Sequence, residues 1–237
     1  MGHLPFQRLQ VELTNLIASL PTESRLPSEP VLARELGVSR STLREAMRSF
    51  ETQGLIRRKQ GVGTFVIGEV PVIDSGMEVL ESIETSAGRI GLSVSTDSLK
   101  VERLSADAEW AGVLDVPIGN ALTRVSRVIL TDERPVAYLV DTLPESILSQ
   151  EDLITGFTGS VLDLLLRRGS PRLVSSRTEI KAVNATAEVA HMLEIQRGDV
   201  LLNFTASLYS TAGRVIDHSF SYFLPGYFSF HVNRRVG

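Results

Sequence analysis

Along the first twenty residues the apolar positions recur at helical spacing. Leu9, Leu13, Leu16, Ile17 and Leu20 form one stripe. The pattern predicts an amphipathic helix that Pro21 stops, because proline lacks the N–H and clashes with the preceding turn. A second cluster, Val31, Leu32 and Leu36, follows "LPSEP". Ser28 is a suitable N-cap there, Glu29 complements the positive helix end, and Pro30 is tolerated in a first turn. Gly37 supplies the stop. Only Val38 and Ser39 separate this stop from the next helix, whose apolar set is Leu43, Met47 and Phe50. Ser39 or Ser41 can cap that helix and Gly54 can close it. A short helix, a tight glycine turn and a second helix make a helix-turn-helix. Then "LIRRKQGVGTFVI" places two short apolar-ended strands, residues 55–58 and 64–67, around the turn "KQGVG". The predicted unit is a winged helix.

The polar side of the third helix changes this from a fold statement to a functional one. Arg40, Arg44 and Arg48 lie four residues apart on it. Residues 1–68 hold 9 Lys/Arg against 6 Asp/Glu, whereas residues 69–237 hold 15 against 22. A basic N-terminal part on an acidic remainder points to a polyanionic partner for the first part only. The N-terminal turns of such a helix enter the major groove, where Arg pairs bidentately with guanine or phosphate. Ser39, Ser41 and Thr42 suit phosphate oxygens at a helix N-terminus. Arg57, Arg58 and Lys59 add charge on the hairpin, and Gly61 and Gly63 let its backbone approach DNA closely.

The run "LPSEPVLARELGVSRSTLREAMRSFETQGLIRRKQGVGTFV" resembles the DNA-binding domain of the GntR family of bacterial transcriptional regulators, over residues 6–67. The resemblance implies DNA contacts from Arg40, Ser41, Thr42 and Arg44 in the reading helix, and from Gln60, Gly61 and Gly63 in the wing. Ser28, Ser39, Arg48, Arg58 and Lys59 complete the candidate surface. Many members carry Arg directly after "LPSE"; Pro30 stands there here, so that contact is expected to be missing.

Residues 69–84 are polar and punctuated by Pro71 and Gly76, and read as a linker with a short helix over 77–85. Beyond it the chain echoes itself. "AEWAGVLDVPIGNALTRVSRVIL" from Ala108 and "AEVAHMLEIQRGDVLLNFTASLY" from Ala187 share an order of short helix, glycine turn, strand, tight turn and return strand, offset by 79 residues. A segment patterned as a strand, "SLKVERL" or "RTEIKAV", precedes each copy. Hairpin-connected strands with helices predict an α+β domain with a mainly antiparallel sheet. Between the copies, "TGSVLDLLLRRG" reads as a helix with a Ser160/Asp163 capping box and Gly169 as its stop.

Residues 85–237 resemble the UTRA effector-binding domain of the HutC-type subfamily. The resemblance rests on the domain order, the two-copy layout, "GNALTRVSR" with "DERPVA", and the ending "DHSFSYFLPGYFSF". It implies a chorismate lyase-like fold, a homodimer and a small-molecule effector, a sugar phosphate or another metabolite. The family's site positions match Arg127, Ser160, Asp217, Ser95 and Thr96. Tyr222 is a further candidate, from an aromatic group with Phe223, Tyr227 and Phe228 that serves packing or stacking. Two departures stand out. Sugar-phosphate sensors often carry a second Arg where Ile129 stands, and Glu within the strand segment 138–140, which is apolar here.

Other chemistry finds little footing. With no cysteine there is no disulfide or thiolate site, as in a reducing cytoplasm. His3, His191, His218 and His231 lack metal-ligand spacing, so no metal or cofactor is expected. Asp217, His218 and Ser219 alternate across a strand and cannot form a triad. "GVGT" lacks the Lys-Ser/Thr of a P-loop, and Glu145 with Glu151 and Asp152 reads as a solvated loop. No stretch approaches the ~18 apolar residues of a membrane span, nor does the N-terminus resemble a signal peptide. The expectation is a cytoplasmic, homodimeric, non-enzymatic regulator on a pseudo-palindromic operator, with repression the commoner outcome in the family. Two rivals stay open: a second domain that only dimerises, and a lyase-like enzyme fused to a DNA-binding domain.

Overall fold

Three helices and a hairpin form at the N-terminal end, in the order the hydrophobic pattern predicts. The structure, a computed structural model, describes residues 3–59, 62–67 and 72–234. It divides into two units: Met1–Val72 with Pro225–Tyr227, and Ile73–Leu224 with Phe228–Gly237.

In the first unit, α1 (His3–Ser19), α2 (Glu29–Glu35) and α3 (Arg40–Thr52) pack around Leu9, Leu13, Leu32, Leu43 and Met47, all fully buried. Ser39 is the cap of α3, its Oγ accepting from the Thr42 N–H at 3.1 Å. Gly37 and Gly54 end α2 and α3 at φ +65° and +73°, where a Cβ is penalised. Ser28 occupies the N-cap position of α2, but its side chain makes no capping bond. Val31 lies on the outside of α2 at 39% exposure, and Ala33 takes the buried place expected for it. The strands β1 (Ile56–Lys59) and β2 (Gly63–Val66) pair antiparallel, with Ile56 opposite Val66 and Lys59 opposite Gly63. Arg25 adds a bridge to Phe65 on the far side of β2.

The second unit is organised by its internal repeat. Six strands, β4 (Ser95–Ser105), β5 (Ala121–Thr131), β6 (Arg134–Pro144), β7 (Leu173–Asn184), β8 (Val200–Ser210) and β9 (Val215–Phe223), lie in the order β4-β5-β6-β9-β8-β7. The pairings are antiparallel. Each repeat therefore builds a three-stranded half, and the halves join where β6 meets β9. Equivalent backbone kinks recur at the repeat offset: Asp115 and Glu194 both sit in the left-handed region, at φ +53° and +54°. The helices α5 (Ala108–Leu114) and α8 (Ala187–Met192) follow β4 and β7. They pack on one face of the sheet, where Trp110 of α5 meets the His218 ring at 5.9 Å and Glu188 of α8 accepts from the Tyr138 hydroxyl.

The opposite face is covered by α7 (Val161–Arg168), whose Val161 and Leu165 pack on Val125, Leu143 and Leu208. Ser160 caps it as expected, accepting from the Asp163 N–H, and Gly169 ends it at φ +67°. The Asp163 carboxylate accepts instead from Ser82 Oγ at 2.7 Å. Two segments differ from the sequence reading. Residues 73–84 are not linker: β3 (Ile73–Gly76) pairs in parallel with β10 (Phe228–His231), and the helix expected over 77–85 forms later, as α4 (Ile83–Arg89), capped by Ser82. Residues 145–152 are not all loop either. Glu151 and Asp152 open α6 (Gln150–Gly156), and Ser149 with Asp152 makes a full capping box. That "SQED" signal was present in the sequence.

Candidate nucleic-acid interface and effector site

In the first unit the docking of α3 through Leu43, Met47 and Phe50 leaves its other side in solvent. Arg40, Ser41, Arg44, Glu45 and Arg48 surround a shallow open concavity there. Ser39 Oγ lies 2.8 Å from Ser41 Oγ and 2.7 Å from Thr42 Oγ1, so the hydroxyls expected to meet phosphate form one cluster at the helix N-terminus. Arg44 Nε donates to Glu29 Oε2 at 2.6 Å, and Arg58 approaches Glu29 Oε1 at 3.7 Å. One carboxylate on α2 thus holds an arginine of α3 and one of β1. Arg44 is half exposed, so the pair is worth ~1 kcal/mol or less and yields to a better partner.

Lys59 lies over the Phe65 ring at 5.4 Å, on the wing. At Gly63 (φ +147°) an added Cβ would stand 2.5 Å from Arg25 Nε, which places Arg25 directly against the wing. Arg25 was missed in the sequence because it follows a proline-bounded loop with no periodicity. Gln60 and Gly61 lie outside the described residues. Replacing Glu29 by Gln frees both arginines; affinity for random duplex should rise about fivefold, and the ratio of operator to random affinity should fall. Fluorescence anisotropy on both duplexes measures the change.

In the second unit a cavity of ≈ 400 Å³ lies between the sheet and α4 and α7, bordered by β3 and β10. Arg127 on β5, Asp217 on β9 and Ser160 at the start of α7 all line it and are buried, at 4%, 6% and 1% exposure. At that burial Arg127 is not a surface charge. Its guanidinium pairs with Asp141 on β6 and lies 6.0 Å from the Phe157 ring. Register explains the grouping: Val125 lies opposite Asp141, and Asp141 opposite Ser219, so alternate residues of β5, β6 and β9 share the cavity face.

Burial pushes the Asp217 carboxyl well above the usual carboxylate range. The nearby charge of Asp141 adds to this, and Arg127 opposes it. Burial likewise raises Glu84 of α4, again against Arg127. Asp217 is a native-state proton holder, and the unfolded chain releases that proton near pH ~3.9. The native state therefore binds more protons than the unfolded one above that pH, and Asp217 lowers stability as pH rises. Asp217→Asn should flatten this fall, read by chemical denaturation of wild type and variant across pH 5 to 9.

The remaining candidates lie elsewhere. Tyr222 is on the opposite face of the sheet, stacked on Tyr138 at 6.3 Å. Ser95 and Thr96 do not line the cavity; Thr96 Oγ1 would stand 3.1 Å from a Cβ added to Gly159. His218 points away from Asp217, to Ser207 Oγ at 2.9 Å, and burial lowers its pKa. Asp141 and Glu84 were missed. The alternation of "VDTL" carried the first, and the second sat in the presumed linker. Among the described residues no group of three His, Asp or Glu side chains could hold a metal ion. No helix among them is long and apolar enough to cross a membrane.

Residues 6–66 match the family of bacterial regulatory proteins named gntR, and residues 89–229 match the UTRA domain. The chain belongs to the GntR family, HutC type. It is 25% identical over 224 residues to the HTH-type transcriptional repressor NagR of Bacillus subtilis, covering 94% of this chain and 90% of that protein. It is 30% identical to the histidine utilization repressor of Klebsiella aerogenes, covering 82% and 79%. The crystal structure of PhnF from Mycobacterium smegmatis shares the fold, with a TM-score of 0.65 at 22% identity over 97% of this chain and all of that one. Within this GntR frame the α+β architecture expected from the repeat stands, with a helix-turn-helix unit before a mainly antiparallel sheet.

Proposed function

We propose that this GntR-family chain is a ligand-responsive repressor that binds a pseudo-palindromic operator as a homodimer, with α3 in the major groove and the hairpin on the backbone. The observation that carries the reading is the exposed face of α3, where Arg40, Ser41, Arg44 and Arg48 stand clear of a docking side that is fully buried. Two-fold symmetry of the protein requires two related half-sites.

The second unit binds a small molecule in the cavity of Arg127, Ser160 and Asp217. A volume of ≈ 400 Å³ falls in the range of small-molecule sites, ~300–1,000 Å³. Its effector shifts operator affinity by binding two arrangements of the chain unequally. The chain acts by binding, without turnover.

Native mass spectrometry of the full chain tests both parts. The expected species has twice the 26.0 kDa chain mass and carries a small-molecule adduct that is lost on denaturation. A dimer to which no metabolite extract adds mass would support the rival in which the second unit only dimerises, and a monomer would contradict the operator symmetry.

A further inference from the structure

Acid dominates the walls of the cavity. Its lining holds the carboxylates of Glu78, Glu81, Glu84, Asp141 and Asp217 but one guanidinium, that of Arg127. Glu81 is paired with Arg89, and Glu78 accepts from the Asn233 N–H. Arg127 therefore faces Asp141, Asp217 and Glu84, and its ion pair is with Asp141. Asp217 Oδ1 and Glu84 Oε1 are buried with no hydrogen-bond partner. A buried carboxyl oxygen without a partner is costly, and burial pushes both groups toward the protonated form. An entering anion meets an arginine already neutralised and three acidic groups beside it. An entering cation meets two unpartnered carboxyl oxygens, whose charged form it stabilises.

The rest of the cavity supplies an apolar seat. Along β9, Asp217, Ser219, Ser221 and Phe223 fall at every second position, so they lie in one row on the cavity face. The row runs from carboxyl through two hydroxyls to an aromatic group, about 20 Å at ~3.3 Å per residue. Phe204, Phe223 and Phe230 gather at that far end with ring centroids 4.5 to 5.1 Å apart.

We propose that the cavity takes an organic ammonium ion with an apolar body, its cationic head between Asp217 and Glu84 and its body toward the phenylalanine cluster. The proposal rests on the reading of this cavity as the effector site, and narrows it to a ligand class opposite in charge to a sugar phosphate.

Three matched probes carry one apolar body and different heads: 4-phenylbutylamine, 4-phenylbutan-1-ol and 4-phenylbutyrate. Calorimetry on the full chain should find the amine at least about tenfold tighter than the alcohol, with the acid weakest. Asp217→Asn and Glu84→Gln, both near-isosteric, should each weaken the amine about tenfold and leave the alcohol nearly unchanged. Equal or tighter binding of the alcohol or acid overturns the assignment, as does amine binding that neither variant alters, or no amine binding at all. Glucose 6-phosphate is the contrasting anion. If it binds in preference to the amine, the charge assignment fails while the effector site stands. If no probe binds and native mass spectrometry finds no adduct, both fail.

Discussion

Arg127→Met lowers the stability of the second unit by about 3–5 kcal/mol, the cost of breaking a buried ion pair from one side. At ~2–4 °C per kcal/mol for a unit of this size, the loss is a melting-temperature shift of roughly 10 °C. The reason is local. Asp141 loses its partner, and Asp217 and Glu84 lose the cation whose charge opposes the effect of their burial. The loss should grow with pH. Native carboxyls held above their unfolded value keep protons that the unfolded chain releases near pH ~3.9, so each further rise in pH favours unfolding. The variant should therefore lie closest to wild type near pH 5 and furthest from it at pH 8. Adding Asp141→Leu to Arg127→Met should recover much of the stability, because an apolar pair of similar volume replaces a desolvated ionic one. A single variant that melts like wild type at pH 8 would show that the pair is not buried as described.

Arg44→Ala weakens binding to the cognate operator by about 1–3 kcal/mol and relaxes preference at one base pair of each half-site. Arg58→Ala should weaken operator and random duplex alike, and should reduce the slope of log affinity against log salt by about 1. The two arginines share Glu29, so neither is free of a partner in the unbound protein. What separates them is placement. Arg44 stands on the second turn of α3, half exposed beside Arg40 and Ser41, whereas Arg58 lies on β1. Equal losses on both duplexes, insensitive to salt, would remove the distinction between reading and anchoring.

The winged helix was legible because each of its signals is local. Spacing gave the three helices, Ser39 and Gly54 marked the ends of α3, and the glycine-rich turn gave the hairpin. The repeat at an offset of 79 residues announced two equivalent halves, which the sheet order realises around β6 and β9. The candidate effector site was only partly legible. Arg127, Ser160 and Asp217 came from resemblance; strand register puts Arg127 and Asp217 on one face, and α7 brings Ser160 to it. Tyr222 could not be placed on the correct face by composition, though its even position beside Asp217, Ser219 and Ser221 assigns it to the other side. Asp141 and Glu84 escaped because their importance lies in burial against Arg127. That pairing joins α4, β5 and β6, which no local window contains. The parallel pairing of β3 with β10 escaped for the same reason, since it links residues about 155 positions apart, as Ile73 with Phe228.

Selection of the full chain against random-sequence duplex DNA, followed by sequencing of the bound pool, shows whether the α3 face selects sequence. Two inverted half-sites with fixed spacing should be enriched, and the enrichment should be lost when Arg40 and Arg44 are both replaced by alanine. A pool that stays random, or that keeps the same enriched sites after those replacements, would contradict sequence selection by α3.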